Sequence, residues 1–217
     1  MNTFFAAASF LIAACAFALG AIKLFRKKKP LYLQLIVCAA GCFAIEQLSS
    51  LVNIWCQVDA AVSIGMIGIF GCNFFLLSAN YGTLDKIVDD GRGSKRARAI
   101  AIAAPVVTAA LAVCAFLLWL GRDTFCAVMW LIVLLPALPA SYFNLKHILL
   151  PLDPFEFLRA TKPCNVCALF FYVITAATVI CSAFGLEIAA GAMSVAMSLS
   201  VLALTVGAIK GASKWGI

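Results

Sequence analysis

The sequence alternates long apolar stretches with short segments that hold most of its charged residues. A helix needs about 20 residues to cross a hydrocarbon core about 30 Å thick, and seven stretches reach that length. Helices are expected because lipid cannot satisfy exposed backbone groups, and the stretches are too long for barrel strands. Numbered in chain order, the predicted spans are residues 3–25, 31–57, 61–82, 98–120, 125–148, 164–186 and 188–210. The predicted fold class is an all-α membrane protein, a seven-transmembrane-helix bundle that forms one polytopic domain over residues 1–217.

The distribution of basic residues predicts how this bundle is oriented. Membrane proteins accumulate Lys and Arg in the loops on the cytoplasmic side. With the N-terminus outside and the C-terminus cytoplasmic, fifteen of the sixteen basic residues fall at inner positions and only Arg122 falls outside. The fifteen are Lys23, Arg26, Lys27, Lys28, Lys29, Lys86, Arg92, Lys95, Arg96, Arg98, Lys146, Arg159, Lys162, Lys210 and Lys214. The predicted cytoplasmic loops include residues 83–97 and 149–163, and we expect a multi-pass protein of the cell membrane.

The composition indicates which partners surround the chain. Of its 217 residues, 65% are apolar and only 12% are charged, which is too little charge for the solvated surface of a soluble domain. The net charge of +7 would suit nucleic acid, but the positive residues are spread between apolar stretches. We therefore expect the lipid bilayer, and no nucleic acid, as a partner. A homo-oligomer or a partner subunit stays open.

One carboxylate interrupts the second apolar stretch. Span 2 carries a polar face within an arc of about 80°, formed by Cys42, Glu46, Ser50 and Asn53. A carboxyl group in mid-membrane is costly, so this face should look into the bundle or a wet cavity rather than at lipid. Desolvation disfavours the charged form, and we expect Glu46 to be protonated at neutral pH unless a cation lies nearby.

Three interpretations of Glu46 stay open. Asn73 should lie at a similar depth on span 3, and a hydrogen bond to it would make Glu46 a link between helices. Alternatively, Glu46 handles a proton or a cation, or contacts a small polar solute. Tyr172 is the one tyrosine near mid-membrane and is either a hydrogen-bonding group inside the bundle or a ligand contact. The candidate ligand or proton site comprises Glu46, Ser50, Asn53, Asn73 and Tyr172.

Prolines and glycines predict two local features. Pro136 and Pro139 lie near the centre of span 5, where each removes a backbone donor and a kink is expected. Kinked helices line transport sites in some membrane proteins and act as packing wedges in others. Gly65, Gly68 and Gly71 recur at every third position of span 3 and predict a close approach to a neighbouring helix.

Ten cysteines raise the question of disulfide and metal chemistry. Cys56 and Cys126 are both predicted near the outer face, where an oxidising environment permits a disulfide between them. Cys164 and Cys167 have the spacing of a metal or redox pair, but no second pair accompanies them. We expect no bound metal and no cofactor.

The motifs of common enzyme classes are missing. The sequence has one histidine, no Gly-x-Ser-x-Gly motif and no phosphate-binding loop, so we expect no enzymatic activity. A small-solute or proton/cation-coupled transporter fits the polar face of span 2 and the kinked span 5. A membrane sensor or receptor unit that signals through a separate partner, or an accessory subunit of a larger membrane complex, fits the same topology.

Overall fold

The computed structural model describes residues 3–25, 30–57, 65–84, 95–150 and 156–213, with side chains for all of these except 83–84 and 156–160. Within these ranges the regular structure is entirely helical. The helices, labelled in chain order, are α1 (Thr3–Leu24), α2 (Leu31–Trp55), α3 (Gly65–Ala79), α4 (Lys95–Ala101), α5 (Ala103–Leu120), α6 (Thr124–Leu134), α7 (Ala137–Leu149), α8 (Glu156–Ala183) and α9 (Glu187–Ala212). A π-helical turn, Asn80–Leu84, follows α3 directly.

Six helical segments of the described chain are long and apolar enough to cross a membrane. They are Thr3–Leu24, Leu31–Trp55, Lys95–Leu120, Thr124–Leu149, Thr161–Ala183 and Glu187–Ala212. Large apolar side chains remain exposed on their outer surfaces, such as Leu11, Leu117 and Phe170. A soluble monomer rarely exposes so much contiguous apolar surface, and lipid is its natural solvent. The chain is an integral, multi-pass membrane protein.

Two predicted spans have different bounds in the structure. Helix α3 has 15 residues, and residues 58–64, some of which the prediction placed in span 3, lie outside the described ranges. Helix α8 begins at Glu156, eight residues before the predicted start of span 6, and Pro163 lies inside it. Hydropathy locates the apolar part of a helix, and a helix can continue beyond the membrane wherever its backbone bonds are kept.

Two spans are interrupted near prolines. Spans 4 and 5 are each built from two helices, which meet at Ile102 and at Leu135–Pro136 respectively. Pro105 has no backbone N–H to donate to the carbonyl of Ala101, where α4 ends. Likewise Pro136 cannot donate to Ile132, and α6 ends at Leu134. The second interruption is the place where the sequence predicts a kink.

Helix α9 lies at the centre of one half of the bundle, packed against α8, α1 and α2. The other half consists of α5, α6 and α7, with α5 and α7 contacting α8. Helix α3 joins the halves because it packs against α2 on one side and against α6 and α7 on the other. The largest buried side chains include Tyr32, Phe43, Phe171 and Tyr172, all 1% exposed or less. The polar face of α2 therefore points toward the seam between the halves.

Candidate functional site

A cavity of about 140 Å³ lies at this seam, and Glu46 is in its wall. Five helices line it: α2 with Glu46 and Ser50, α3 with Ile69, α6 with Trp130, α8 with Thr175 and Thr178, and α9 with Ser194 and Met197. A single water needs only about 10–15 Å³ measured in this way, so several waters or one small solute fit. The walls supply both hydroxyl groups and a carboxyl group to whatever occupies the cavity.

Glu46 is held by hydrogen bonds to both of its carboxyl oxygens. Ser50 Oγ donates to Oε1 over 3.1 Å, and Gln47 Nε2 donates to Oε2. The residue is only 9% exposed. Both donors lie on α2, and they hold the carboxyl group in the cavity wall.

Gln47 connects this helix to α9. Ser194 Oγ donates to Gln47 Oε1 over 3.0 Å, and Gln47 in turn donates to Glu46. Ser198 Oγ continues the polar line by donating to the Ser194 carbonyl over 3.1 Å. The hydrogen-bonded chain Ser194–Gln47–Glu46–Ser50 therefore ties the polar residues of α2 to α9.

Asn73 is not the partner of Glu46 that the sequence suggested. Its Nδ2 donates instead to the carbonyl of Val133 over 2.9 Å. Val133 lies in the last turn of α6, where carbonyls have no partner within their own helix. The interruption at Pro136 thus creates an acceptor, and the buried amide of Asn73 satisfies it from α3. The expected depth of Asn73 in the membrane does not show that a carbonyl of α6 will lack a partner in its own helix.

The other two predicted site residues lie away from the cavity. Asn53 is half-buried one turn beyond Ser50 and is not part of the cavity lining. Tyr172 is 1% exposed and accepts a hydrogen bond at its hydroxyl from Asn144 Nδ2 over 3.3 Å. Of the five predicted residues, the structure therefore brings only Glu46 and Ser50 together at one site.

Tyr172 belongs to a second buried polar cluster next to the π-helical turn. Asn80 Nδ2 donates to Asn144 Oδ1 over 2.6 Å, and Asn80 Oδ1 lies 3.2 Å from His147 Nδ1. All four side chains are at most 3% exposed. Turns of π-helix occur mainly inside helices near functional positions, and here the turn places Asn80 toward α7. The cluster joins α7 and α8 to the end of α3.

The two kink prolines differ in their surroundings. Pro136 is buried at the interruption, whereas Pro139 is exposed in the first turn of α7. Neither lines the cavity, but the adjacent helix α6 contributes Trp130 to its wall. The interruption therefore acts on the site indirectly, through the position of α6.

The cysteines are free thiols throughout the described chain. Cys56 is exposed at the end of α2, Cys126 is buried at the start of α6, and no disulfide joins them. Cys164 is buried, with its Sγ 3.6 Å from the Leu204 carbonyl, and faces Gly207 of α9. No three His, Cys, Asp or Glu residues of the described ranges lie together in a way that could hold a metal ion.

Sequence reasoning missed much of the cavity wall. Gln47, which holds Glu46 without lining the cavity, lies about 100° around the helix from Glu46 and outside the predicted polar arc. Ser194 has the spacing of small residues at a packing face. Thr175, Thr178 and Trp130 share no local pattern with α2. In the sequence, the repeated hydroxyl residues of α8 were the feature that could have indicated this part of the cavity wall.

Comparison with protein-family models, with curated proteins and with solved structures finds no match to this chain. Function therefore has to be argued from the geometry of the cavity.

Proposed function

We propose that the protein is a small-solute or proton/cation-coupled transporter, and not an enzyme, whose site is the Glu46 cavity. The observation that carries this proposal is the placement of a buried carboxyl group in the wall of a cavity that five helices line with hydroxyl as well as apolar side chains. Interhelical hydrogen bonding alone needs no cavity. An ionisable group inside the membrane typically marks an ion or proton pathway.

The layout of the bundle supports a carrier. Transporters commonly bind their substrate between two halves of a bundle, next to interrupted helices. Here the cavity lies between the group around α9 and the group of α5, α6 and α7, and α6 ends at an interruption. A relative movement of the two groups would change access to Glu46.

The proposal includes a seven-span topology in the cell membrane. Helix α3 with its following turn would be the seventh span, with the N-terminus outside and the C-terminus cytoplasmic. The asymmetry of the basic residues supports this orientation. On this basis the turns at 121–123 and 184–186 face outward, and we refer to that side as the predicted outer end.

Flux through purified protein in proteoliposomes tests the function. Liposomes with an internal pH-sensitive dye are given a potassium diffusion potential, with and without a pH gradient, alone and with small cations and polar solutes. We expect wild-type protein to carry flux that depends on the pH gradient. Glu46→Gln keeps the shape and most hydrogen bonds but cannot ionise, so its dependence on the gradient should disappear.

Glu46→Leu separates a functional from a structural role. It removes the bonds to Gln47 and Ser50 and leaves the buried amide of Gln47 without this acceptor, so it should lower thermal stability as well as flux. If Glu46→Gln transports like the wild type while Glu46→Leu is destabilised, Glu46 only links residues of the bundle and the proposed function is wrong. Thermal unfolding of each variant shows that a loss of flux is not a loss of fold.

A further inference from the structure

A second cavity of about 250 Å³ adjoins the first at the predicted outer end. Thr178 lines both cavities, so the two are separated by no more than one side chain. The other lining residues are Trp119, Ser182, Gly185, Glu187 and Ala190, which lie at the end of α5, the end of α8 and the start of α9. We call this second cavity the vestibule.

Burial along α8 increases from the vestibule toward Glu46. Thr175, Thr178 and Ser182 lie within an arc of about 60° and thus on one face of the helix. Ser182 is exposed, Thr178 is half-buried, and Thr175 is 1% exposed. These three residues therefore form a row of hydroxyl groups between the surface at the α8–α9 turn and the Glu46 cavity.

The apolar core of the bundle reaches the wall of the Glu46 cavity at Met197. Phe43 of α2 and Phe171 of α8 meet edge to face with ring centroids 5.3 Å apart, and both are at most 1% exposed. Met197, which lines the cavity, is 3% exposed and belongs to the same core. Met197 therefore joins the cavity wall to this core, whereas Thr178 joins it to the vestibule.

The charges along this route are negative. Glu187 lies in the vestibule and Glu46 at its inner end, and no Lys, Arg or His is among the described residues that line either cavity. The C-terminal end of α8 and the N-terminal end of α9 carry opposite half charges that offset each other at the turn. Arg122 and Asp123 of the α5–α6 turn also have opposite charges. Glu187 therefore sets the sign of the potential in the vestibule, which favours cations. Glu46 adds to this potential only when it is deprotonated.

We propose that the vestibule is the access route of a small cation to Glu46, with Glu187 as the residue that attracts it and the Thr178 position as the passage between the cavities. This inference rests on the proposed function. It adds that the transported species is a cation and that it reaches Glu46 from the predicted outer end. Anionic solutes are disfavoured because Glu187 makes the vestibule acidic, and Thr178 lies where the two cavities meet.

Thiol modification of Thr178→Cys tests the route without measuring transport. The purified protein in nanodiscs is treated with a cationic and an anionic methanethiosulfonate of similar size, and modification at position 178 is followed by peptide mass spectrometry. Rates are divided by those of a small free thiol. We expect a cation preference of about tenfold or more, which falls when Glu187→Gln is added. Ser182→Cys at the mouth is a second reporter.

Thr205→Cys is the matched control. Both threonines donate to a carbonyl four residues earlier in their own helix, over 2.8 Å for Thr178 and 2.9 Å for Thr205, but Thr205 is fully buried in α9 and should stay unmodified. Equal rates for the two reagents at position 178, or modification at 182 but not at 178, would overturn the route. Transport that persists in such a case shows that the access inference has failed and the function has not.

Discussion

At the scale of single residues, the site depends on a short chain of hydrogen bonds more than on Glu46 alone. Ser194 on α9 donates a hydrogen bond to Gln47 of α2, and Gln47 in turn donates one to Glu46. Since Gln47 is 1% exposed, losing its partner would leave a buried acceptor unsatisfied. The orientation of Glu46 is therefore set from two helices.

Ser194→Ala and Ser200→Ala form a matched pair that tests this dependence. Both serines are on α9, but Ser200 Oγ donates only to the Ala196 carbonyl of its own helix, over 3.0 Å. We expect Ser194→Ala to cost roughly 0.6–1.7 kcal/mol of stability and to reduce flux. Ser200→Ala should change stability by no more than about 0.5 kcal/mol. Thermal unfolding in one detergent measures both, and equal effects would contradict a special role for Ser194.

At the scale of helices, close approach and interruption place the cavity walls. Gly68 lets α3 lie directly against α2, since a Cβ atom there would come within 2.6 Å of the Cys42 carbonyl and 2.8 Å of Glu46 Cβ. The α8–α9 turn uses Gly185 at φ 70°, with Leu186 N–H bonded to the Cys181 carbonyl and Gly185 N–H to that of Ser182. This glycine-based cap ends α8 at the vestibule.

Gly68→Ala should force α3 away from α2. The atoms that a methyl group would meet include backbone, which cannot rotate aside, so we expect a loss of about 1–3 kcal/mol and impaired flux through the displaced Glu46. Gly121→Ala is the control, because nothing lies within 4 Å of its Cβ position and its φ is −78°. Thermal unfolding of both variants measures the difference. Similar stability of the two would contradict the prediction that close contact between α2 and α3 stabilises the bundle.

At the scale of the whole molecule, the bundle consists of two helix groups that meet at the Glu46 cavity. Glu46 and Thr175 of one group line the same cavity as Trp130 of the other. A movement of the two groups relative to each other would change the shape of this cavity, which the proposed carrier function requires. Which end faces the outside follows from the proposed orientation.

Cysteine labelling of intact cells tests that orientation. A membrane-impermeant thiol reagent should modify Arg122→Cys and should reach Lys28→Cys only after the cells are broken. Wild-type protein, in which Cys56 is exposed at the same predicted outer end as Arg122, provides the background, and peptide mass spectrometry locates each modification. Labelling of position 28 from outside would reverse the proposed topology.

Local properties of the sequence were sufficient to predict the membrane class and most helix positions. Span length and apolarity act residue by residue, since every stretch must satisfy lipid separately. The inward direction of Glu46 followed for the same reason, because a carboxyl group facing lipid is costly wherever the rest of the chain lies. The break at Pro136 lies where proline chemistry places it.

The partners of these residues depended on tertiary structure. Ser194 lies 147 residues from Gln47, and Val133 lies 60 residues from Asn73, so no local pattern relates either pair. The predicted hydrogen bond between Asn73 and Glu46 is wrong, because Asn73 donates to the Val133 carbonyl. This carbonyl becomes available only because α6 ends beside α3. The cavity and the vestibule likewise arise between helices, where the packing of several separate segments leaves space.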